Sequence, residues 1–476
     1  MRLLPQGTRA AWPPSGAGRA LLALIVIGVL LRVLASISLW PTTILEDGYQ
    51  NFAAANPFLD PQHPAGYALI LGAIAAVTHQ IAVPIVLQHL SGIASALLLG
   101  AATRRITGSA WAGLLPAAIV LLDPDEVFLE HSIMSESWQL LATSVGLYAT
   151  VRSIDQPEPW RRWPLLAGAA LALAVTIRSA ALLMIPVAIF GLALGRPRES
   201  PRWRAPVAVA GAAAIVLLAF AGANAAFGDG PRLEPSPGWY LYGRVAQFSD
   251  CHRFTPPPGT SSLCETTPAS QRRSGYYYMF LPQSPAQRLF GGFGRDDGVI
   301  GGWARRALVA QFGDFLTTAW VYFRSYYVPS SRPARLKSST ELDPQLDFTN
   351  RGNVFYAAAA QQALEDFYGP FKLHRSSWAL SIIRRWQVVV RFGATALFVT
   401  TLLTLLGLLI GTRRSRVGTL VLGVGGLSLL IAPALTGTYS GRYTVAMAGP
   451  LIGGAAVALT EVLRARRRVP RSPAQG

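Results

Sequence analysis

Long apolar runs separated by short arginine clusters set the pattern of the chain, and crossing about 30 Å of hydrocarbon takes roughly 20 such residues. Runs at 20–40, 82–101, 109–123, 137–151, 164–195, 205–227, 387–411, 417–436 and 444–463 predict membrane spans. The run 164–195 is too long for one helix and is interrupted by Arg178, with arginines on both flanks, so it predicts a hairpin of two helices. The run Pro64 to Val77 is too short to span and predicts an interfacial or re-entrant helix. Ten spans follow. They place the arginines of the N-terminus (Arg2, Arg9, Arg19), Arg104 and Arg105, Arg152 to Arg162, Arg196 to Arg204, Arg413 to Arg416 and the tail from Arg464 on one side. By the positive-inside rule that side is cytoplasmic, with both termini there, in a multi-pass protein of the plasma (inner) membrane. A cleaved signal peptide is the rival for the first 40 residues, but Arg32 breaks its apolar stretch and no clear small-x-small cleavage site follows.

Composition agrees. Of 476 residues 51% are hydrophobic and 14% charged, against about a quarter charged in soluble domains. The net charge of +18 is almost entirely arginine, since Lys337 and Lys372 are the only lysines. Its confinement to short loops argues for membrane orientation and against nucleic-acid binding. No Walker loop, HExxH or paired CxxC is present, which disfavours nucleotide hydrolysis and zinc chemistry. The predicted class is therefore an all-α polytopic membrane protein. Its divisions are a transmembrane module at 1–227, an exoplasmic insert at 228–386, C-terminal helices at 387–465 and a disordered tail at 466–476. The insert, mixed or mainly helical, carries Cys251 and Cys264 about a Pro-rich turn, which predicts a disulfide in an oxidising compartment. Apolar positions from Trp303 to Tyr327 form a helical stripe, read as a helix packed on the membrane or the bundle.

Acidic residues number 24, and eight of them crowd two predicted exoplasmic loops: Glu46, Asp47 and Asp60 in the first, Asp123, Asp125, Glu126, Glu130 and Glu136 in the second. Carboxylates gathered at a membrane boundary are costly, which favours a functional reason. Asp60, Asp125 and Glu126 read as hydrated surface. Asp47 follows the first span directly and precedes His63-Pro64-Ala65-Gly66-Tyr67. Glu136 opens the fourth span in Met134-Ser135-Glu136-Ser137, where helix capping and function compete. Arg32 within the first span, Arg178 in the hairpin turn and Arg442 in Gly441-Arg442-Tyr443 each need an anion or a lipid headgroup.

Together these motifs, in this order and sidedness, resemble the GT-C glycosyltransferases, most of all the bacterial members related to protein O-mannosyltransferases and to the lipid A aminoarabinose transferase. The resemblance covers the first 200 residues well and the last 40 weakly. It implies a GT-C-like bundle with exoplasmic interfacial helices. It also implies inverting transfer of a hexosyl or pentosyl unit from a polyprenyl phosphate donor to a glycan, lipid or protein acceptor on the exoplasmic face. By that resemblance Asp47 is the catalytic base with Glu46 its competitor, because many members carry Asp-Glu where this chain carries Glu-Asp. Glu136 is then the second-loop acid, and Arg178, assisted by Arg442 or Arg32, holds the donor phosphate. His63, Tyr67, His131 and Tyr443 are candidate substrate contacts. A divalent ion on Glu46, Asp47, Glu136 and His131 is the one cofactor left open, without regular ligand spacing. The rival readings are a transporter or flippase of a lipid-linked or anionic substrate, disfavoured by the lack of repeat-related halves, and a scaffold binding cell-wall polymer through its aromatics.

Overall fold

The computed structural model describes residues 16–43, 47–155, 162–195, 203–331, 333, 354–437 and 439–468. Arg2, Arg9, Glu46, Arg161, Arg196, Arg198, Arg202 and the tail beyond 468 lie outside the described residues.

The fold is all-α, as the pattern predicts. α1 (Gly16–Ser38) ends where Leu39–Trp40 (β1) pairs antiparallel with His374–Arg375 (β2), Leu39 opposite Arg375. α2 (Tyr49–Ala54) and α3 (Gly66–Ala75) follow, α3 being the predicted short helix. Gly66 is needed there, since a Cβ would stand 2.4 Å from the Thr176 carbonyl oxygen. α4 (Ala82–Thr107) stops at Gly108 in the left-handed region, and the Ser109 hydroxyl then caps α5 (Ala110–Leu122), the usual chemistry for ending one helix and starting the next. Asp123 in turn caps α6 (Pro124–Glu130), whose first residue is proline. α7 (Glu136–Asp155), α8 (Arg162–Ile177), α9 (Met184–Gly195) and α10 (Arg204–Phe227) complete the first part. Arg178 lies at the break between α8 and a 3-10 turn at Ser179–Leu183 that leads into α9, as the interrupted run predicts.

Among the described residues five helices are long and apolar enough to cross a membrane: Gly16–Ser38, Ala82–Thr107, Arg204–Phe227, Arg413–Thr436 and Gly441–Arg466. The chain is a multi-pass membrane protein. α5, α8 and α9 are shorter apolar helices. α7 carries Gln139, Thr143, Ser144 and Ser153 and buries them all at the centre of the bundle, where Leu99, Leu140, Leu147, Leu171, Leu422 and Leu451 form the core.

The segment after α10 is helical too. α11 (Pro237–Val245), α12 (Gly275–Phe280), α13 (Pro285–Phe290) and α14 (Asp297–Ala310) close around Trp239, Tyr242, Tyr278 and Trp303, and Cys251 is bonded to Cys264. The stripe predicted from Trp303 to Tyr327 is divided at Gln311, whose side-chain oxygen accepts from the Asp250 amide; α15 (Phe312–Tyr327) begins afterwards. α15 buries Ala319, Tyr322 and Tyr326 and leaves Phe312, Leu316 and Trp320 exposed. Arg244 of α11 is buried, donates to the carbonyls of Pro433 and Gly437, and lies 3.7 Å from the centre of the Tyr322 ring. α16 (Val354–Tyr368) packs Leu364 against the cluster containing Tyr49 and Tyr67.

The predicted span 387–411 needs correction. Residues 387–389 end an amphipathic helix, α17 (Ser377–Val389), and α18 (Ala394–Ile410) departs at 42°. The corner is pinned by polar groups: Arg391 pairs with Asp125 at 2.8 Å and the Phe392 amide donates to Asp123. α19 (Arg413–Thr419) continues through a π-helical turn at Leu420–Val424 into α20 (Gly425–Thr436), and α21 (Val445–Arg468) closes the chain.

Candidate active site

Asp47 sits just before α2, where Gly48, at φ +80°, supplies the sharp turn that a side chain would resist. Its carboxylate, 19% exposed, accepts from Arg442 at 2.5 Å and lies 3.9 Å from Nε2 of His63. The other ring nitrogen of His63 faces Asp60 at 3.1 Å. Burial alone would raise the Asp47 pKa; the Arg442 guanidinium, with His63 and Arg178, outweighs it and holds the carboxyl below the usual range. For His63 burial acts downward, and the flanking Asp60 and Asp47 raise its pKa above the ordinary imidazole value.

Glu136 opens α7 and is buried. One of its oxygens accepts from Arg178 at 2.7 Å and lies 3.6 Å from Arg442, while the other has no hydrogen-bond partner among the described residues. Arg178 also donates to the Ser135 hydroxyl at 3.1 Å, and Ser135 in turn meets the Tyr49 hydroxyl at 3.0 Å. Both guanidiniums stand over the Tyr443 ring, at 5.5 and 5.8 Å. Asp47, Arg442, Glu136 and Arg178 thus form a connected series of contacts alternating in sign.

Arg178 and Tyr443 also line a cavity of about 400 Å³, together with Tyr49, His63, Ser179, Glu234 and Tyr240. Glu234 was not expected. It lies in the stretch between α10 and α11, hydrogen-bonds Ser179, and has its pKa pushed up to about 7, mainly by burial. Asp47 and Arg442 are not in the cavity wall but adjoin two of its residues, Asp47 at His63 and Arg442 at Tyr443.

Three expected residues are placed elsewhere. Arg32 pairs at 2.6 Å with Glu130, which also faces His89 at 2.8 Å, and donates to the Leu121 and Gly28 carbonyls; an arginine inside an apolar helix takes the acid at its own depth. His131 is fully buried, one ring nitrogen on the Leu39 carbonyl and the other 3.2 Å from His89; burial and His89 press its pKa down to about 3. Tyr67 is buried against Tyr49, and its hydroxyl donates to Gln88 at 2.5 Å. The metal set therefore does not gather: both nitrogens of His131 are engaged, Asp47 and Glu136 face guanidiniums, and Glu46 lies outside the described residues. Among the described residues no three His, Cys, Asp or Glu side chains converge on one point. Asp60 and Glu126, read as hydrated surface, are buried, and Asp125 is paired with Arg391. Asp60 finds backbone amides and Asp125 a cation there, while Glu126 has its pKa raised well above the usual value by burial and by Glu130.

Residues 62–223 match the family of dolichyl-phosphate-mannose-protein mannosyltransferases. That stretch overlaps the part of the chain whose sequence resembles the GT-C glycosyltransferases. The matched stretch contains His63, Glu136 and Arg178 and leaves Asp47, Glu234 and Arg442 outside it. No curated protein matches the chain. Among solved structures, the oligosaccharyltransferase AglB of Archaeoglobus fulgidus, in complex with an inhibitory peptide and a dolichol-phosphate, aligns at 13% identity and a TM-score of 0.39. The alignment covers 96% of this chain and 53% of that one. The apo form of the Archaeoglobus fulgidus enzyme gives 14%, 0.42, 96% and 52%. ArnT from Cupriavidus metallidurans, in the apo state, gives 14% and 0.30 over 94% of this chain and 77% of that one. The chain spans about half the length of the archaeal enzyme.

Proposed function

We propose that the protein transfers a hexosyl or pentosyl unit from a polyprenyl phosphate donor to an acceptor hydroxyl at the exoplasmic face of the plasma membrane, with inversion. The observation that carries this reading is the alternation of Asp47, Arg442, Glu136 and Arg178 at the edge of a cavity. The insert 228–386 is then the division that completes the site, bringing Glu234 and Tyr240 to a module built from 1–227 and the last helices.

Arg178 and Arg442 are the phosphate-holding pair. The acceptor oxygen attacks the anomeric carbon, the bond from that carbon to the phosphate oxygen breaks, and the phosphate leaves with an added negative charge. Two fixed guanidiniums favour that charge more than the ground state, which is how a binding interaction accelerates a reaction. The proton of the acceptor hydroxyl passes to Asp47. With Arg442 beside it the carboxylate is ionised at neutral pH; a phosphate that draws on Arg442 restores its basicity when it is needed. Glu136 holds the two arginines in register.

The deciding experiment is transfer by purified protein from a polyprenyl phosphosugar. Asp47→Asn is expected to lower kcat by about 10² to 10⁴ while retaining donor binding. Intact transfer in both Asp47→Asn and Glu46→Gln overturns the mechanism.

A further inference from the structure

We infer that the cavity beside Arg178 is the subsite for the donor's sugar ring, and that Glu234 is its hydroxyl-reading residue. The inference rests on the proposed function and goes beyond it to a subsite and a specificity residue.

The cavity has two kinds of wall. Gln62, His63, Ser179, Glu234 and Tyr240 face it with polar groups, while Leu182, Leu183 and Pro433 close the apolar side. A mostly apolar hollow with a few fixed polar groups is how small-molecule sites obtain both affinity and orientation. Its volume of about 400 Å³ accommodates a monosaccharide and its phosphate, not a polyprenyl chain. Arg178 is part of the wall, so a phosphate held there puts the attached ring into the same space. Asp47 is outside the wall, in contact with His63 and Arg442.

Glu234 is held in place by its surroundings. On either side of it the chain is tied down, by Arg232 on the Pro235 carbonyl, by Ser236 on the Pro61 carbonyl at 2.7 Å and by Tyr240 on the Gln62 carbonyl at 2.6 Å. Its carboxyl bonds Ser179 and faces the cavity with no ion pair among the described residues, an unusual expense for an acid that only packs. A carboxyl that titrates near neutrality both donates and accepts, which suits sugar hydroxyls.

The test is binding by the full-length protein in lipid nanodiscs, with bare polyprenyl phosphate and with polyprenyl phosphomannose, phosphoglucose and phosphoarabinose as probes. Wild type is expected to bind at least one phosphosugar more tightly than the bare lipid. Glu234→Ala should remove that advantage by about tenfold and Glu234→Gln by less, with bare-lipid affinity unchanged. If the variants weaken both kinds of lipid equally, or change neither, or if wild type shows no preference for a phosphosugar, the subsite is refuted while the phosphate site stands. Failure of wild type to bind any of the lipids overturns the proposed function itself, and the subsite with it.

Discussion

Arg442 donates to Asp47 at 2.5 Å across 395 positions of sequence, so the candidate base is held by the entry to the last helix. Burial pushes Asp47 upward and Arg442 is the strongest of the opposing influences. Arg442→Ala should therefore raise the Asp47 pKa, and the acid limb of the kcat/KM profile should move to higher pH. The same depressed pKa means that the pair contributes stability that is fully present at neutral pH and is lost only as pH falls through the lowered value. A pH profile of transfer over the acid range checks the first statement, and an unchanged limb contradicts it.

Arg178 differs from Arg442 in lining the cavity and in donating to Ser135, while both face Glu136. Replacing it by lysine keeps the charge and loses the planar fork that grips two phosphate oxygens. Donor affinity in Arg178→Lys is expected to fall about tenfold, with a larger loss in Arg178→Gln, where Glu136 is left with less compensating charge. Titration of the bare polyprenyl phosphate reads both effects without any need for turnover.

The Arg32–Glu130 pair lies apart from the cavity wall and should act on stability. Arg32→Met leaves the buried Glu130 carboxylate with only His89 as a side-chain partner among the described residues and is expected to cost about 3–5 kcal/mol; adding Glu130→Gln should restore part of it, because the under-compensated charge disappears. Thermal unfolding in detergent measures the cycle. Full additivity of the two changes, or a shifted pH profile of transfer, would show that the pair does something other than hold α1 against the α5–α6 corner.

Much of this was legible because membranes impose simple rules. The long run broken by Arg178 could only be two helices, and the short run after His63 could only lie beside the bundle. Arg178, Glu136, Asp47 and Arg442 were readable because a charge at a helix end facing hydrocarbon needs a partner. The same rule, applied to Arg32, would have pointed to Glu130 at matching depth instead of to a phosphate. Glu234 carried no such signal: it sits in an aperiodic, Pro-rich stretch, and its importance comes from a fold-back that ties Ser236 and Tyr240 to residues 61 and 62. The bend before α18 was hidden because Val388 to Val390 continue the apolar run; only Arg391 and the distant acids Asp123 and Asp125 reveal the corner.

A contact between residues 47 and 442 cannot close until the entry to α21 has been made. During synthesis Asp47 is followed first by His63 and Arg178, and its strongest cationic neighbour, Arg442, comes much later. Until Arg442 is made the cluster lacks the cation that joins Asp47 to Glu136, and whatever chemistry the cluster performs waits for it.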